Sequence, residues 1–190
     1  DLAKKYSDEG ADELVFYDIS ASTNNTMVSK KWIEKIAKNI NIPFCVAGGI
    51  ISIESARLIL NSGADKISIN TPAIENPILI NELAKAFGSQ CVTVGIDSMQ
   101  HNDQYIVYSK TGSVKTSFNT KILTKDWIMK VQELGAGEIV LNCMNQDGVK
   151  RGFDIKQLNY MSDVIKVNDS TKKLNSSGLT SLFNVRTIKC

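Results

Sequence analysis

The stretches GADELVFYDI (10–19), GADKISINT (63–71) and GAGEIVLNC (135–143) repeat one pattern, and that pattern decides the fold. Each begins with Gly-Ala, continues with a small or acidic residue and then a charged one, and ends in an apolar run. The glycine stands where a preceding helix ends, because glycine accepts the positive φ of a C-terminal cap. Continuous apolar runs are typical of parallel strands covered on both faces. Each repeat therefore predicts the passage from a helix into a buried strand.

The rest of the chain alternates between strand and helix patterns. IPFCVAGG (42–49) and QCVTVGID (90–97) are two further apolar runs of strand length. Between the strands, apolar residues recur at the spacing of an amphipathic helix, at Ile33, Ile36, Ala37 and Ile40 and again at Ile80, Leu83, Ala84 and Phe87. Helix starts are predicted at Ser52, at Asn76-Pro77 and at Thr124.

This alternation predicts an α/β fold of βα units on a parallel sheet. Units of about 30 residues fit a (β/α)8 barrel better than an open nucleotide-binding sheet. A GxGxxG turn after a first strand is absent, which further disfavours the dinucleotide-binding alternative. Five strands are recognisable, with a sixth uncertain, so we expect an incomplete barrel.

The barrel is predicted to occupy residues 1–163, with a hairpin inserted at about 98–123. The expected arms of that hairpin are Tyr105–Tyr108 and Ser113–Thr116, which flank the turn Lys110-Thr-Gly. Residues 164–190 are rich in Ser, Asn and Lys, without sustained periodicity, and are expected to form a divergent, poorly ordered tail.

Composition narrows the class of protein. The chain has 190 residues, 43% hydrophobic and 22% charged, as in an ordinary globular domain. A net charge of +2 gives no field that would favour nucleic acid, and no apolar run approaches the roughly 20 residues of a membrane span. The four cysteines form no CxxC pair and there is one histidine, so we expect no metal and no cofactor. We interpret the cysteines as reduced thiols of a cytoplasmic protein.

Polar residues follow several of the predicted strands. In a barrel, the carboxyl ends of the strands meet at one mouth, where chemistry collects. A partly desolvated Asp there can serve as a general acid or base, and Gly-Gly or Asn-Thr can seat a phosphate. The candidates at this mouth are Asp18, Gly48, Gly49, Asn70, Thr71, Asp97, Asn142, Asp147 and Gly148.

Charged residues stand at the entrances of three strands. Glu13, Lys66 and Glu138 would lie together at the opposite mouth of the barrel. Opposite charges there are compatible with a salt-bridged plug, which is the simpler interpretation, or with a gated opening. The residues alone favour the plug.

Five ordered motifs carry a resemblance to a known family. They are YDISAS (17–22), PFCVAGGI (43–50), GADKISINTPA (63–73), FGSQCVTVGID (87–97) and GAGEIVLNCMNQDGVKRGFD (135–154). Together they resemble the cyclase subunit of imidazole glycerol phosphate synthase, in the branch of enterobacterial type, over roughly residues 1–163. The sister isomerase of histidine biosynthesis, which shares the barrel, is much less similar.

The resemblance implies a lyase that works as a heterodimer with a glutaminase. The family adds ammonia from that partner to a bisphosphorylated ribonucleotide and releases imidazole glycerol phosphate and aminoimidazole carboxamide ribonucleotide. It implies that Asp97 is catalytic and that Gly49, Asn70 and Thr71 bind one phosphate. Asp147 and Gly148 would bind the other end of the substrate, and Asn142 and Asp18 would line the same mouth. Glu13, Lys66 and Glu138 would form the ammonia entrance, which favours the opening over the plug.

The resemblance is incomplete. A second catalytic Asp on the family's first strand would precede Asp1, and the Gly-rich seventh-strand motif has no counterpart after residue 163. We therefore expect a chain truncated at both ends, with about strands 2 to 6 or 7 of the barrel, and inactive or nearly so. The alternative is a non-catalytic remnant that binds a phosphorylated ligand or docks the glutaminase. The sister isomerase activity is a more distant alternative.

Overall fold

A computed structural model of the chain describes residues 2–18, 28–150 and 152–165. Helices and strands alternate along it, as the sequence predicts. The elements are α1 (Leu2–Asp8), β1 (Leu14–Tyr17), α2 (Lys30–Ala37), β2 (Phe44–Ala47), α3 (Ile53–Asn61), β3 (Lys66–Ile69), α4 (Thr71–Glu75), α5 (Ile78–Phe87), a 3₁₀ turn (Ser89–Cys91), β4 (Val92–His101), β5 (Gln104–Ser109), β6 (Phe118–Leu123), α6 (Thr124–Glu133), β7 (Glu138–Cys143) and α7 (Ile155–Ser162).

The strands form one mostly parallel sheet. Its parallel part has the order β1-β2-β3-β4-β7, and β5 and β6 add to it antiparallel. Tyr17 is opposite Ala47, and Asp97 is opposite Asn142. The carboxyl ends of the parallel strands therefore lie along one edge of the sheet, which is where the candidate residues were expected.

The sheet is open in the part of the chain that the structure describes. There β1 pairs with β2 alone and β7 with β4 alone, so each keeps one unpaired edge. All four residues of β2 are buried, whereas β1 and most of β7 are half-buried, as outer strands are. The prediction of an α/β fold, with fewer strands than a closed barrel needs, is confirmed.

The core lies between the helices and the face of the sheet that they cover. We call this the outer face of the sheet and the opposite one the inner face. Ile33 and Ile36 of α2 are buried there, as are Ile80 and Leu83 of α5. These are the positions that the helical periodicity selected. At the start of α3, Ser52 forms the predicted cap, and its hydroxyl and that of Ser55 exchange hydrogen bonds with each other's backbone amides. Local sequence therefore explains the helix faces and the start of α3, whereas α5 begins at Ile78 with Pro77 rather than Asn76 as its N-cap.

The segment 98–123 differs in detail from its prediction. β4 continues to His101 and pairs with β5, and the second arm of the β5–β6 hairpin is Phe118–Leu123 rather than 113–116. Residues 113–116 instead form a turn, because the Thr116 hydroxyl and amide bond backward, to the carbonyls of Lys110 and Ser113. Thr124 is the first residue of α6 rather than its cap. Of the tail predicted over 164–190, the part from residue 166 onward lies outside the described residues.

Gly63, at the end of α3, shows why the Gly-Ala repeat needs glycine. Its φ is +106°, and an added Cβ would lie 2.7 Å from the Cβ of Ala37. Gly10, the equivalent residue of the first repeat, has φ +86° and open space around it. The positive φ therefore requires glycine at both positions, whereas of the two only Gly63 also lacks room for a Cβ.

We predict that Gly63→Ala lowers the free energy of unfolding by about 2 kcal/mol, since it adds both backbone strain and a steric overlap. Gly10→Ala adds the strain alone, and we expect about 1 kcal/mol. Urea denaturation of the two variants measures the difference. Equal losses would show that the contact with Ala37 relaxes without cost.

Candidate functional site

Asp97 is the centre of the polar cluster at the carboxyl edge of the sheet. It is 8% exposed, and its carboxylate accepts hydrogen bonds from neutral groups on three sides. Asn70 donates to Oδ2 at 2.7 Å, Thr111 donates to Oδ2 at 2.5 Å, and Asn142 donates to Oδ1 at 2.8 Å. The charge is thus solvated by amides and a hydroxyl, and the carboxylate is held in one orientation.

The β5–β6 turn brings Thr111 to Asp97. β5 pairs with the end of β4, with Tyr108 opposite Asp97, so the residues just after β5 fold back over the carboxylate. The sequence predicts a turn at Lys110-Thr-Gly, and Thr111 is not among the predicted site residues. The one signal for Thr111 in the sequence is a hydroxyl in a turn that follows a strand. The position of that turn over Asp97 depends on strand pairing.

Asn70 and Thr71 follow β3 at the same edge. The Thr71 hydroxyl oxygen accepts from the Lys110 amide at 3.1 Å and the Ser109 hydroxyl at 3.2 Å. The side-chain oxygen of Asn70 is buried and has no hydrogen-bond partner among the described residues. A bound group with a donor could satisfy that oxygen, because a buried acceptor without a partner is costly.

The remaining candidates lie along the same edge, in the segments that follow β1, β2 and β7. The Asp18 amide donates to the carbonyl of Ala47, which ties the end of β1 to β2. Gly49 and Gly148 have φ values of +69° and +73°. The Asp147 amide donates to the Cys143 carbonyl at 3.2 Å, at the start of the loop after β7. The structure thus brings Asp97, Asn70 and Asn142 into contact, and the other candidates follow the carboxyl ends of β1, β2 and β7.

The three entry charges meet at the opposite edge. The Lys66 ammonium lies 2.9 Å from Glu13 and 2.5 Å from Glu138, and its side chain is 18% exposed. Burial by itself lowers the pKa of Lys66, but hydrogen bonds and charges from Glu138 and Glu13 outweigh it, so the pKa is raised. Lysine is therefore held in its charged form between two carboxylates.

The inner face of the sheet connects the two edges. Thr93 donates to the Glu138 carboxylate at 3.2 Å, and the neighbouring Cys45 thiol has a pKa raised to about 12, chiefly by burial and also by Glu13. The pKa of Tyr17 is likewise raised, by burial first and then by the charges of Cys45, Asp97 and Glu13. Charges at both edges, Asp97 and Glu13, therefore contribute to the raised pKa of Tyr17. None of Thr93, Cys45 and Tyr17 is among the residues predicted for the site from the sequence.

The cysteines described by the structure, Cys45, Cys91 and Cys143, are free thiols. Among residues 2–18, 28–150 and 152–165, no group of three His, Cys, Asp or Glu side chains is placed to hold a metal ion. No helix within these ranges is long and apolar enough to cross a membrane. What the site offers chemically is a buried carboxylate among amide and hydroxyl donors, next to glycine-rich strand ends.

Parallel strands that pair in chain order and are joined by helices, with polar side chains gathered where the strands end, are typical of α/β barrel proteins, here with an open sheet. The sequence profile of the histidine biosynthesis protein family matches residues 1–189. The chain belongs to that family, and the resemblance carried by the five motifs is confirmed.

Three relatives show how close the similarity is. The imidazole glycerol phosphate synthase subunit HisF of Buchnera aphidicola subsp. Baizongia pistaciae (strain Bp) is 58% identical over 168 residues, or 87% of this chain. The proteins of that name from Tolumonas auensis and Francisella philomiragia subsp. philomiragia are 57% and 56% identical over 87% and 88% of this chain. The chain spans about 65% of the length of these curated relatives.

Proposed function

We propose that this chain supplies the cyclase site of an imidazole glycerol phosphate synthase, a lyase of histidine biosynthesis. The observation that carries the proposal is Asp97, a buried carboxylate held by Asn70, Asn142 and Thr111 at the carboxyl ends of parallel strands. A positioned carboxyl group of this kind can move a proton during ring closure. The similarity to subunits of that name over most of the chain supports the same assignment.

The substrate we propose is a bisphosphorylated aminoimidazole carboxamide ribonucleotide, with its two ends on either side of Asp97. Gly49, Asn70 and Thr71 would hold one phosphate, because they follow the ends of the neighbouring strands β2 and β3 and offer it backbone amides and a hydroxyl. Asp147 and Gly148 would hold the other end, with Asn142 and Asp18 lining the mouth between them. The unpartnered oxygen of Asn70 is available to accept a hydrogen bond from an N–H or O–H group of the ligand, which an ionised phosphate does not supply.

Ammonia would enter from the opposite edge, past Glu13, Lys66 and Glu138. The small or polar side chains of Cys45, Ser68 and Thr93 alternate along the inner face between the ion pairs and Asn70, as a path for a small polar molecule requires. A glutaminase subunit docked at this edge would supply the ammonia. We place the complex in the cytoplasm, since the described cysteines are unpaired thiols.

A polypeptide of these 190 residues alone is proposed to be nearly inactive. In the described residues the sheet is open beyond β1 and β7, so its strands do not close around the mouth at which Asp97 lies. Binding of a phosphorylated ligand at Gly49, Asn70 and Thr71 would survive this loss better than catalysis, because it needs fewer groups in place. For this reason, the alternative for the isolated chain is a remnant that binds the ligand without turning it over.

The test compares the isolated chain with a chimera in which the Buchnera subunit supplies the parts of its length that this chain does not span. With ammonia as nitrogen donor, we expect turnover in the chimera and at least about 10²-fold less in the isolated chain. A shift of the isolated chain's melting temperature by inorganic phosphate would show that it retains the phosphate seat. A folded chimera without turnover would contradict the proposed function, and equal turnover of the two would contradict the inactivity.

A further inference from the structure

Two parts of the proposed site are carried by different elements. Asp97 lies on β4, whereas Asp147 and Gly148 lie among residues 144–150, in the loop that follows β7. If both parts act on one ligand, the loop must keep a fixed position relative to β4. Ser98 follows Asp97 directly, and its side chain points to the opposite face of the sheet, beneath the helices.

Both ends of the loop are fastened to Ser98. At its start, the Met144 amide donates to the Ser98 carbonyl at 2.9 Å. At its end, Asp154 caps α7 by accepting from the Gln157 amide at 3.0 Å, and the Gln157 side chain donates to the Ser98 hydroxyl. Ser98, the β4 residue next to Asp97, therefore holds both ends of the loop.

The fastening at the end of the loop is fully buried. Ser98, Thr124 and Gln157 are each 0% exposed, and the Ser98 and Thr124 hydroxyls are 2.8 Å apart. The side-chain oxygen of Gln157 has no partner among the described residues. An apolar side chain would be buried there without that cost, so the glutamine is expensive as a packing residue alone. Its measurable contribution is the directional bond to Ser98.

We propose that Gln157 is a positioning residue that sets the loop carrying Asp147 and Gly148 relative to Asp97. It acts through Ser98 and touches neither Asp97 nor the proposed ligand. The fastening of the loop stands on the geometry above, whereas its consequence for a bisphosphorylated substrate rests on the proposed function.

The first experiment measures hydrogen exchange in the 190-residue chain and needs no ligand. The reporters are the Met144, Gln146 and Asp147 amides, which donate to backbone carbonyls. Gln157→Met keeps the volume and removes the donor, and we expect these amides to exchange about tenfold faster. Met161→Ala, on the same buried face of α7, is the control for loosening of the helix. If it speeds the reporters equally at a matched melting temperature, the proposal is overturned.

The second experiment measures kinetics in the chimera. Gln157→Met is expected to raise KM for the bisphosphorylated substrate about tenfold while leaving the affinity for inorganic phosphate unchanged, and Ser98→Ala is expected to do the same. An unchanged KM would overturn the proposal even if exchange were faster. If the unmodified chimera binds no substrate, the proposed function has failed, and the exchange result alone decides whether Gln157 fixes the loop.

Discussion

Asp97→Asn in the chimera is expected to lower kcat by about 10²- to 10⁴-fold while changing substrate affinity only a few-fold. The amide cannot exchange a proton with the substrate, although its shape is nearly that of the carboxyl group. Both carboxylate oxygens of Asp97 accept hydrogen bonds, so the new NH₂ group must also face a donor, either on Asn142 or on Asn70 and Thr111. Steady-state kinetics with ammonia as nitrogen donor measures the loss.

The matched control is Asp103→Asn, which makes the same change at an exposed residue of the β4–β5 turn. We expect it to leave kcat unchanged within about twofold, as surface substitutions away from a site usually do. Circular dichroism must show both variants folded at the assay temperature. If Asp97→Asn retains more than a tenth of the activity, Asp97 is not the proton-transfer group.

Lys66→Met is expected to lower the free energy of unfolding by about 3 kcal/mol. It leaves Glu13 and Glu138 facing one another without the cation between them, at a site where the lysine is 18% exposed. Breaking a fully buried pair costs about 3 to 5 kcal/mol, and solvent access to Glu138 puts this cluster at the lower end of that range. Denaturation in urea at neutral pH measures the change.

The difference in the free energy of unfolding between the unmodified chain and Lys66→Met depends on pH, and this dependence follows from the raised pKa of Lys66. A group whose pKa is higher in the folded state stabilises the fold at pH values below its ordinary pKa, which is about 10.4 for lysine. It ceases to do so as the pH rises through its pKa in the folded state. The gap between the unmodified chain and Lys66→Met should therefore be constant from about pH 6 to about pH 9 and narrow only above about pH 10.4. A gap that narrows already below pH 9 would contradict the charge arrangement.

Lys30→Met is the control for this variant. Lys30 pairs with Glu34 across 3.6 Å on the surface of α2, where its side chain is 65% exposed. Such pairs contribute about 0.5 kcal/mol or less because water and salt screen them. A comparable loss in the two variants would show that Lys66 acts as an ordinary surface lysine.

Much of the fold could be predicted because it depends on local chemistry. Gly63 takes a positive φ at the end of α3, and Ser52 caps the start of that helix. Each feature involves residues within one turn of each other, so the sequence shows it directly. Thr124 shows the limit of such local patterns, since its hydroxyl forms a hydrogen bond with that of Ser98 on β4 instead of capping a helix.

The candidate site divides in the same way. The positions of Asp97, Asn70 and Asn142 at strand ends followed from the apolar runs before them, because parallel strands end at one edge. Their contact with each other is a finding of the structure. Thr111 was not predicted, since its bond to Asp97 spans the register of β4 with β5, which no local pattern specifies.

The sequence by itself determined the alternation of helices and strands, the buried faces, the edge at which the polar residues lie and the family. Only the tertiary structure decided which of these residues touch. Lys66 reaches Glu13 from 53 residues away, and Gln157 reaches Ser98 from 59. The physical reason is that propensity and capping act within a few residues, whereas a hydrogen bond requires positions within a few tenths of an ångström. Between distant residues, that precision comes from the packing of the whole sheet and its helices.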